Sequence, residues 1–114
     1  MGKAANSSIS LKQIHVTDNF WNKYVHLVKD VIIPYQWDIL NDKLEDVETS
    51  HCIENFKIAA GEKEGEFQGA VFQDTDVAKW LEAVGFVLNY ERDEKLEELA
   101  DETIELIGRA QQPD

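Results

Sequence analysis

The stretch "DTDVAKWLEAVGFVLN", residues 74–89, constrains the fold more than any other part of the chain. Val77, Trp80, Leu81, Val84 and Leu88 recur at helical intervals, and Ala78, Ala83, Phe86 and Val87 add apolar surface on neighbouring faces. A helix that is apolar on more than one side has to be covered on more than one side, so it needs several partner helices. The chain offers three. "DEKLEELADETIELIGRAQQ" places Leu96, Leu99, Ala100, Thr103, Ile104 and Ile107 on one stripe, with nearly all its acids elsewhere, which predicts a helix with a single core face. Trp21, Tyr24, Val25, Val28, Val31 and Ile32 share a face of an earlier helix, with Thr17 or Asp18 placed to cap it. "SHCIENFKIAAG" reads as the remaining helix, with Ser50 as its cap and Gly61 at the left-handed position just past its end.

The punctuation between these segments is equally local. Pro34 is expected to interrupt the first helix near Ile33, because a proline ring disfavours helical geometry in the residue before it, and "YQWDIL" then resumes as a short helix or turn. "NDKLEDVETS" reads as a solvated connection and "EKEGEFQG" as a loop. Residues 9–16, "ISLKQIHV", carry Ile9, Leu11, Ile14 and Val16 with polar residues between, a strand-like pattern that finds no second strand to pair with. The predicted class is all-α: four helices, preceded by an extended segment over residues 1–16 and forming a second unit over 17–114.

Size and charge narrow the functions. A chain of 114 residues is one domain at most. Its 43% hydrophobic residues and 3 Trp, 3 Tyr and 5 Phe argue for a packed core. The net charge of −12 repels phosphate backbones and anionic headgroups, so neither nucleic acid nor a membrane surface is an expected partner, whereas a neutral sugar or a basic partner is compatible. With 1 Cys, no internal disulfide can form, and no secretion signal or membrane span is legible. The expected location is the cytoplasm, which makes the glycosylation triplet at Asn6 a chance match.

Chemistry-bearing residues are few. Asp74 and Asp76 invite reading as the paired carboxylates of a glycosidase, which need about 5 Å or more between them. Residues two apart on a helix do not face each other, and carboxylates at a helix start are stabilised as anions, the wrong direction for an acid catalyst. They read as a cap, Asp74 or Thr75, and a first-turn acid, Asp76, with a second role open: accepting hydroxyl hydrogen bonds from a sugar beside Trp80. Trp21 and Trp80 sit at helical core spacing, whereas Trp37, beyond Pro34, has more freedom to be exposed to a sugar. His51 and Cys52 are adjacent, point about 100° apart on a helix and lack a second ligand pair, which argues against a metal site. Cys52 reads as a small buried residue, and His15 and His26 as isolated surface residues.

Four blocks in order, "VIIPYQWDILND", "SHCIENFKIAAGE", "EFQGAVFQDTDVAKWLEAVGFVL" and "ELIGRAQQPD", resemble the amino-terminal part of the β-L-arabinofuranosidases of glycoside hydrolase family 127. The resemblance runs from about "VTDNFW" to the last residue, and "VFQDTDVAKWLEA" is its most specific piece. It implies part of an (α/α)6 barrel, followed in full-length members by β-sandwich domains, with residues 9–16 able to pair with a sandwich. It also implies retaining hydrolysis by a cysteine thiolate held near zinc by further cysteines and a glutamate, with another glutamate as acid/base. None of those residues maps onto this sequence, so no catalytic or metal residue is carried over and zinc is expected only in the full-length enzyme. The sequence therefore reads as a truncated piece, inactive alone, whose site contribution is limited to Asp74, Asp76, Trp80 and Trp37. The competing reading, from a different class, is a stand-alone acidic helical module that binds partners, or itself, through exposed apolar faces.

Overall fold

The computed structural model describes residues 8–113. The amino-terminal part of the predicted 1–16 segment, with the Asn6 triplet, lies outside them. The described residues form helices α1 (Asn19–Leu27), α2 (Ile33–Leu40), α3 (Cys52–Ala59), α4 (Thr75–Tyr90) and α5 (Glu94–Ala110), preceded by a 3-10 turn at Leu11–Gln13. Among them there is no strand. The strand-like reading of 9–16 is thus corrected: Ser10 and Ile14 keep extended dihedrals, but with no neighbouring ladder the residues between close into the turn.

The expected break at Pro34 is also corrected. α1 and α2 form one continuous rod, joined by a wide π-type turn at Val28–Ile32. Proline removes an amide and its ring crowds the carbonyl four residues back, here that of Asp30. The wider register immediately before Pro34 absorbs both effects, and Ile33 stays helical at φ −61° and ψ −49°. Asp18, one of the two predicted caps, accepts from the Trp21 amide at 2.8 Å.

α3 begins differently from expectation. Ser50 is buried and makes no cap. Instead Asp42, eight residues upstream and itself left-handed at φ 56°, accepts from the amides of Ser50 at 2.6 Å and His51 at 3.1 Å. One carboxylate thereby closes the 41–50 connection and satisfies the amides just ahead of the helix. The end of α3 is as predicted: Gly61 is left-handed at φ 75°, its amide bonds the Ile58 carbonyl, and Glu62 reaches back to Lys57.

The core lies where α4 meets α2, α3 and α5, and is built from Ile33, Leu40, Cys52, Ile53, Val77, Trp80, Val84, Ala100 and Leu106. α4 is the central helix of the described residues, as its several apolar faces require. α5 turns slightly from the predicted stripe: Ala100, Thr103 and Leu106 are buried and Ile104 is 56% exposed. At 100° per residue Ile104 sits well off the face centred on Leu99 and Thr103, while Leu106 falls at its edge. The buried Thr103 hydroxyl donates to the Leu99 carbonyl at 2.7 Å.

Residues 8–32 contribute no buried side chain. Trp21, expected in a core, is 61% exposed and forms an open aromatic cluster with Phe20 and Tyr24. The accessible surface is 8900 Å², against about 6,400 Å² for a compact monomer of this mass. The radius of gyration is 17.6 Å, against about 13 Å for a compact domain of this length.

Candidate functional site

The segment 68–76, which ends in the "FQDTD" turn and leads into α4, is fastened to α3 by three hydrogen bonds and braced by one of its own. The Asn55 side-chain amide donates to the Gln68 carbonyl at 2.8 Å and accepts from its amide at 3.1 Å. The Cys52 thiol donates to the Gln73 carbonyl at 2.9 Å, and the Gln73 side chain accepts from the Ala70 amide at 2.8 Å. Gly69 sits at φ 91°, a backbone conformation that other residues rarely adopt, and a Cβ there would displace the Gln73 side-chain oxygen. Sequence reading missed Asp42, Asn55 and Gln73 as organising residues, since their partners lie 8 to 21 residues away or in irregular backbone; only the Asn-Asp turn pair at 41–42 carried a local signal.

Asp74 and Asp76 are both exposed at this turn. Neither Asp74 nor Thr75 caps α4 with its side chain, which corrects the sequence expectation: the Thr75 hydroxyl donates to the Phe72 carbonyl at 2.8 Å. A side-chain cap is unnecessary because the amides of Thr75, Asp76 and Val77 each bond the carbonyl three residues earlier. Asp76 faces Lys79 at 3.7 Å. Both carboxylates are therefore displayed to solvent.

Trp80 and Trp37 are brought together elsewhere. Trp80 is 4% exposed and its indole N–H donates to the Ile33 carbonyl at 3.1 Å. Trp37, half-buried, packs on it with ring centres 4.6 Å apart and planes inclined by 33°. The four predicted residues thus fall into two places, a carboxylate pair at the head of α4 and a tryptophan pair one turn further along and across to α2.

Cys52 is buried, as the sequence predicts. Burial pushes its thiol above the ordinary value, reinforced by the negative charges of Asp76, Asp42 and Asp74 and opposed by a hydrogen bond from Ser50. A nucleophilic cysteine needs the opposite shift, toward thiolate. Among the described residues, no three His, Cys, Asp or Glu side chains are grouped to hold a metal. The donor set of the described residues therefore does not fit zinc.

A third feature is an apolar groove of about 480 Å³ between the amino-terminal segment, α1 and the end of α4. Ile14, Val16, Trp21, Tyr24, Val28 and Phe86 line it, and Lys29 at its edge is paired with Glu91 at 2.9 Å. That hydrogen bond and the charge of Glu91 hold the Lys29 ammonium above its ordinary pKa, against a partial desolvation. No helix of the described residues is long and apolar enough to cross a membrane.

Comparison with known proteins gives this geometry a family. The profile of the β-L-arabinofuranosidase GH127 catalytic domain matches residues 13–114. The non-reducing end β-L-arabinofuranosidase of Bifidobacterium longum subsp. longum is 40% identical over 113 residues, an alignment that spans 89% of this chain and 17% of that protein. The crystal structure of a GH127 β-L-arabinofuranosidase from Geobacillus stearothermophilus T6 superposes with a TM-score of 0.85 at 61% identity, over 88% of this chain and 16% of that one. The all-helical arrangement corresponds to part of that enzyme's helical architecture. Spanning about a sixth of the length of these relatives, the chain belongs to the β-L-arabinofuranosidase GH127 catalytic-domain family.

Proposed function

We propose that this chain serves as the amino-terminal helical portion of a β-L-arabinofuranosidase catalytic domain within a longer protein, and that its own part is structural and substrate-lining rather than catalytic. The observation that carries the reading is the 61% identity to a GH127 enzyme over 88% of the chain. The open groove and the large hydrophobic side chains left exposed, among them Phe20, Trp21, Val71, Phe72 and Phe86, support it, because they make apolar faces of the kind that neighbouring helices of one domain cover. The same faces favour self-association when the chain is alone.

In this reading the full-length protein cleaves L-arabinofuranosides with retention, using a thiolate, a zinc ion and glutamates from other parts of the domain. Asp74 and Asp76 lie at the sugar and accept its hydroxyl hydrogen bonds. Cys52 takes no part in bond cleavage. We place the protein in the cytoplasm, a reducing compartment in which a single buried thiol is stable.

The test is hydrolysis of p-nitrophenyl β-L-arabinofuranoside by the full-length protein, with the 114-residue chain expected to be inert. Cys52→Ala is expected to change kcat by less than about threefold, whereas loss of the nucleophile would cost many orders of magnitude. Asp74→Asn is expected to raise KM with little change in kcat. A full-length protein inactive on every L-arabinofuranoside would overturn the reading. Partner capture through the groove by an inactive protein would favour the interaction module instead.

A further inference from the structure

The carboxylates of Asp74 and Asp76 hold little of the structure around them. Asp74 makes no cap for α4, and Asp76 meets Lys79 in a loose, exposed pair of 3.7 Å. The backbone that presents them is fixed by other side chains. We infer that Asn55 and Gln73 are positioning residues, which hold the 68–76 segment so that Asp74 and Asp76 meet the substrate in a set orientation. The role rests on the proposed function, which puts these two carboxylates at the sugar; the assignment of Asn55 and Gln73 to it comes from the bonding of the segment itself.

Three observations carry the assignment. The first is the form of the Asn55 contact. Its side chain donates to the Gln68 carbonyl at 2.8 Å and accepts from the Gln68 amide at 3.1 Å, so it takes both hydrogen-bonding groups of one residue as a neighbouring strand would. At neutral pH only Asn and Gln carry a donor and an acceptor side by side in one plane. Two parallel bonds fix direction as well as distance. Asn55 stands in the first turn of α3, its own amide bonded to the His51 carbonyl, so the entry to the segment is tied to a helix.

The second is the double link made by Gln73. Its Oε1 accepts from the Ala70 amide at 2.8 Å, and its backbone amide donates to the Ala70 carbonyl at 3.1 Å. Left-handed Gly69 leaves the space that the Gln73 oxygen fills. From this brace the amides of Thr75, Asp76 and Val77 continue into α4 by bonds to the carbonyls three residues earlier. The Cys52 thiol, a weak donor, adds a lesser bond to the Gln73 carbonyl.

The third is where these bonds end. All of them fall on backbone groups of residues 68–77, and none engages the carboxylate of Asp74 or Asp76. A backbone fixed in advance, with its acceptors left unengaged, loses little entropy when a ligand arrives. The bonds join residues of this chain to one another, so they stand whatever else of a longer protein packs alongside.

The test is hydrolysis of p-nitrophenyl β-L-arabinofuranoside by the full-length protein. Asn55→Ala and Gln73→Ala are each expected to raise KM about fivefold, with kcat within about twofold of the wild type. Truncating Asn55 also loosens α3, so Gly61→Ala, at the far end of the same helix, is the control: it is expected to lower the urea midpoint and leave KM in place. Coupling is the decisive readout. In a protein that already carries Asp74→Asn and Asp76→Asn, adding Asn55→Ala is expected to raise KM by less than about twofold, because the groups it would misplace are gone. The full rise in that background overturns the proposal, since Asn55 would then act by another route. So does a KM unmoved by both single variants, or a rise in Gly61→Ala equal to that in Asn55→Ala. Each of these results leaves the proposed function standing, whereas a wild type inactive on every L-arabinofuranoside removes the proposed function and this role together.

Discussion

The two ends of the α1–α2 rod show how differently similar sequences can be used. At one end Ile33 and Leu40 are buried against α4, together with the cores of α3 and α5. At the other, Trp21, Tyr24 and Val28 have the same helical spacing, yet no residue from 8 to 32 is buried. The difference lies in partners. α4 is long enough and apolar enough on several faces to cover α2, α3 and α5, but only Phe86, Val87 and Tyr90 at its end reach toward α1. An amphipathic face specifies that something should cover it; it does not supply the cover.

The comparison is broken most directly by a matched pair of truncations. Trp80→Ala is expected to cost about 3–5 kcal/mol in urea unfolding, since it opens a large cavity and strips a donor from the Ile33 carbonyl. If Trp80→Ala were as mild as a surface change, the packed end would not be a core at all. Next in size is Asp42→Ala, expected at about 1.5–3 kcal/mol, because it leaves the amides of Ser50 and His51 without their charged acceptor. Asp42→Asn keeps an acceptor and tolerates the left-handed backbone, and should lose less. Gly61→Ala forces a side chain into φ 75° and is expected to cost about 1 kcal/mol, read from the same urea midpoint.

The pH dependence of the packed end sharpens the contrast further. Burial raises the Cys52 pKa in the folded chain above that of the unfolded thiol. As pH rises the unfolded chain therefore releases this proton first. The stability Cys52 contributes is whole below the ordinary thiol value and is lost as pH climbs toward the folded value. Urea midpoints should fall in that alkaline window, and Cys52→Ala should flatten the fall. The smallest effect belongs to the open end: Trp21→Ala is expected to stay within about 0.5 kcal/mol in the 114-residue chain. A larger loss would mean that the aromatic cluster of α1 is packed in solution.

Much of this molecule was legible before any coordinate. The helical segments, the Asp18 cap and the Gly61 terminator depend on contacts within a few residues, and local spacing carries that information. The family resemblance was legible for a related reason, since its motifs are contiguous blocks. The site was less legible. Exposure of Asp74 and Asp76 followed from a turn whose backbone satisfied the helix amides itself, so the cap they seemed placed to provide was not needed. Trp37 acquired its place by stacking on a residue 43 positions later, which no local pattern encodes.

What the sequence determined by itself was where helices form and which sides of them are apolar, because periodicity and capping are properties of neighbours along the chain. Tertiary structure alone decided which of those sides are covered. It buried Trp80 and left Trp21 open, rotated α5 so that Leu106 rather than Ile104 meets the core, and carried the helix through Pro34 by widening one turn. The physical reason is common to all three: burial depends on what lies across the gap, and a residue's own spacing is silent about that.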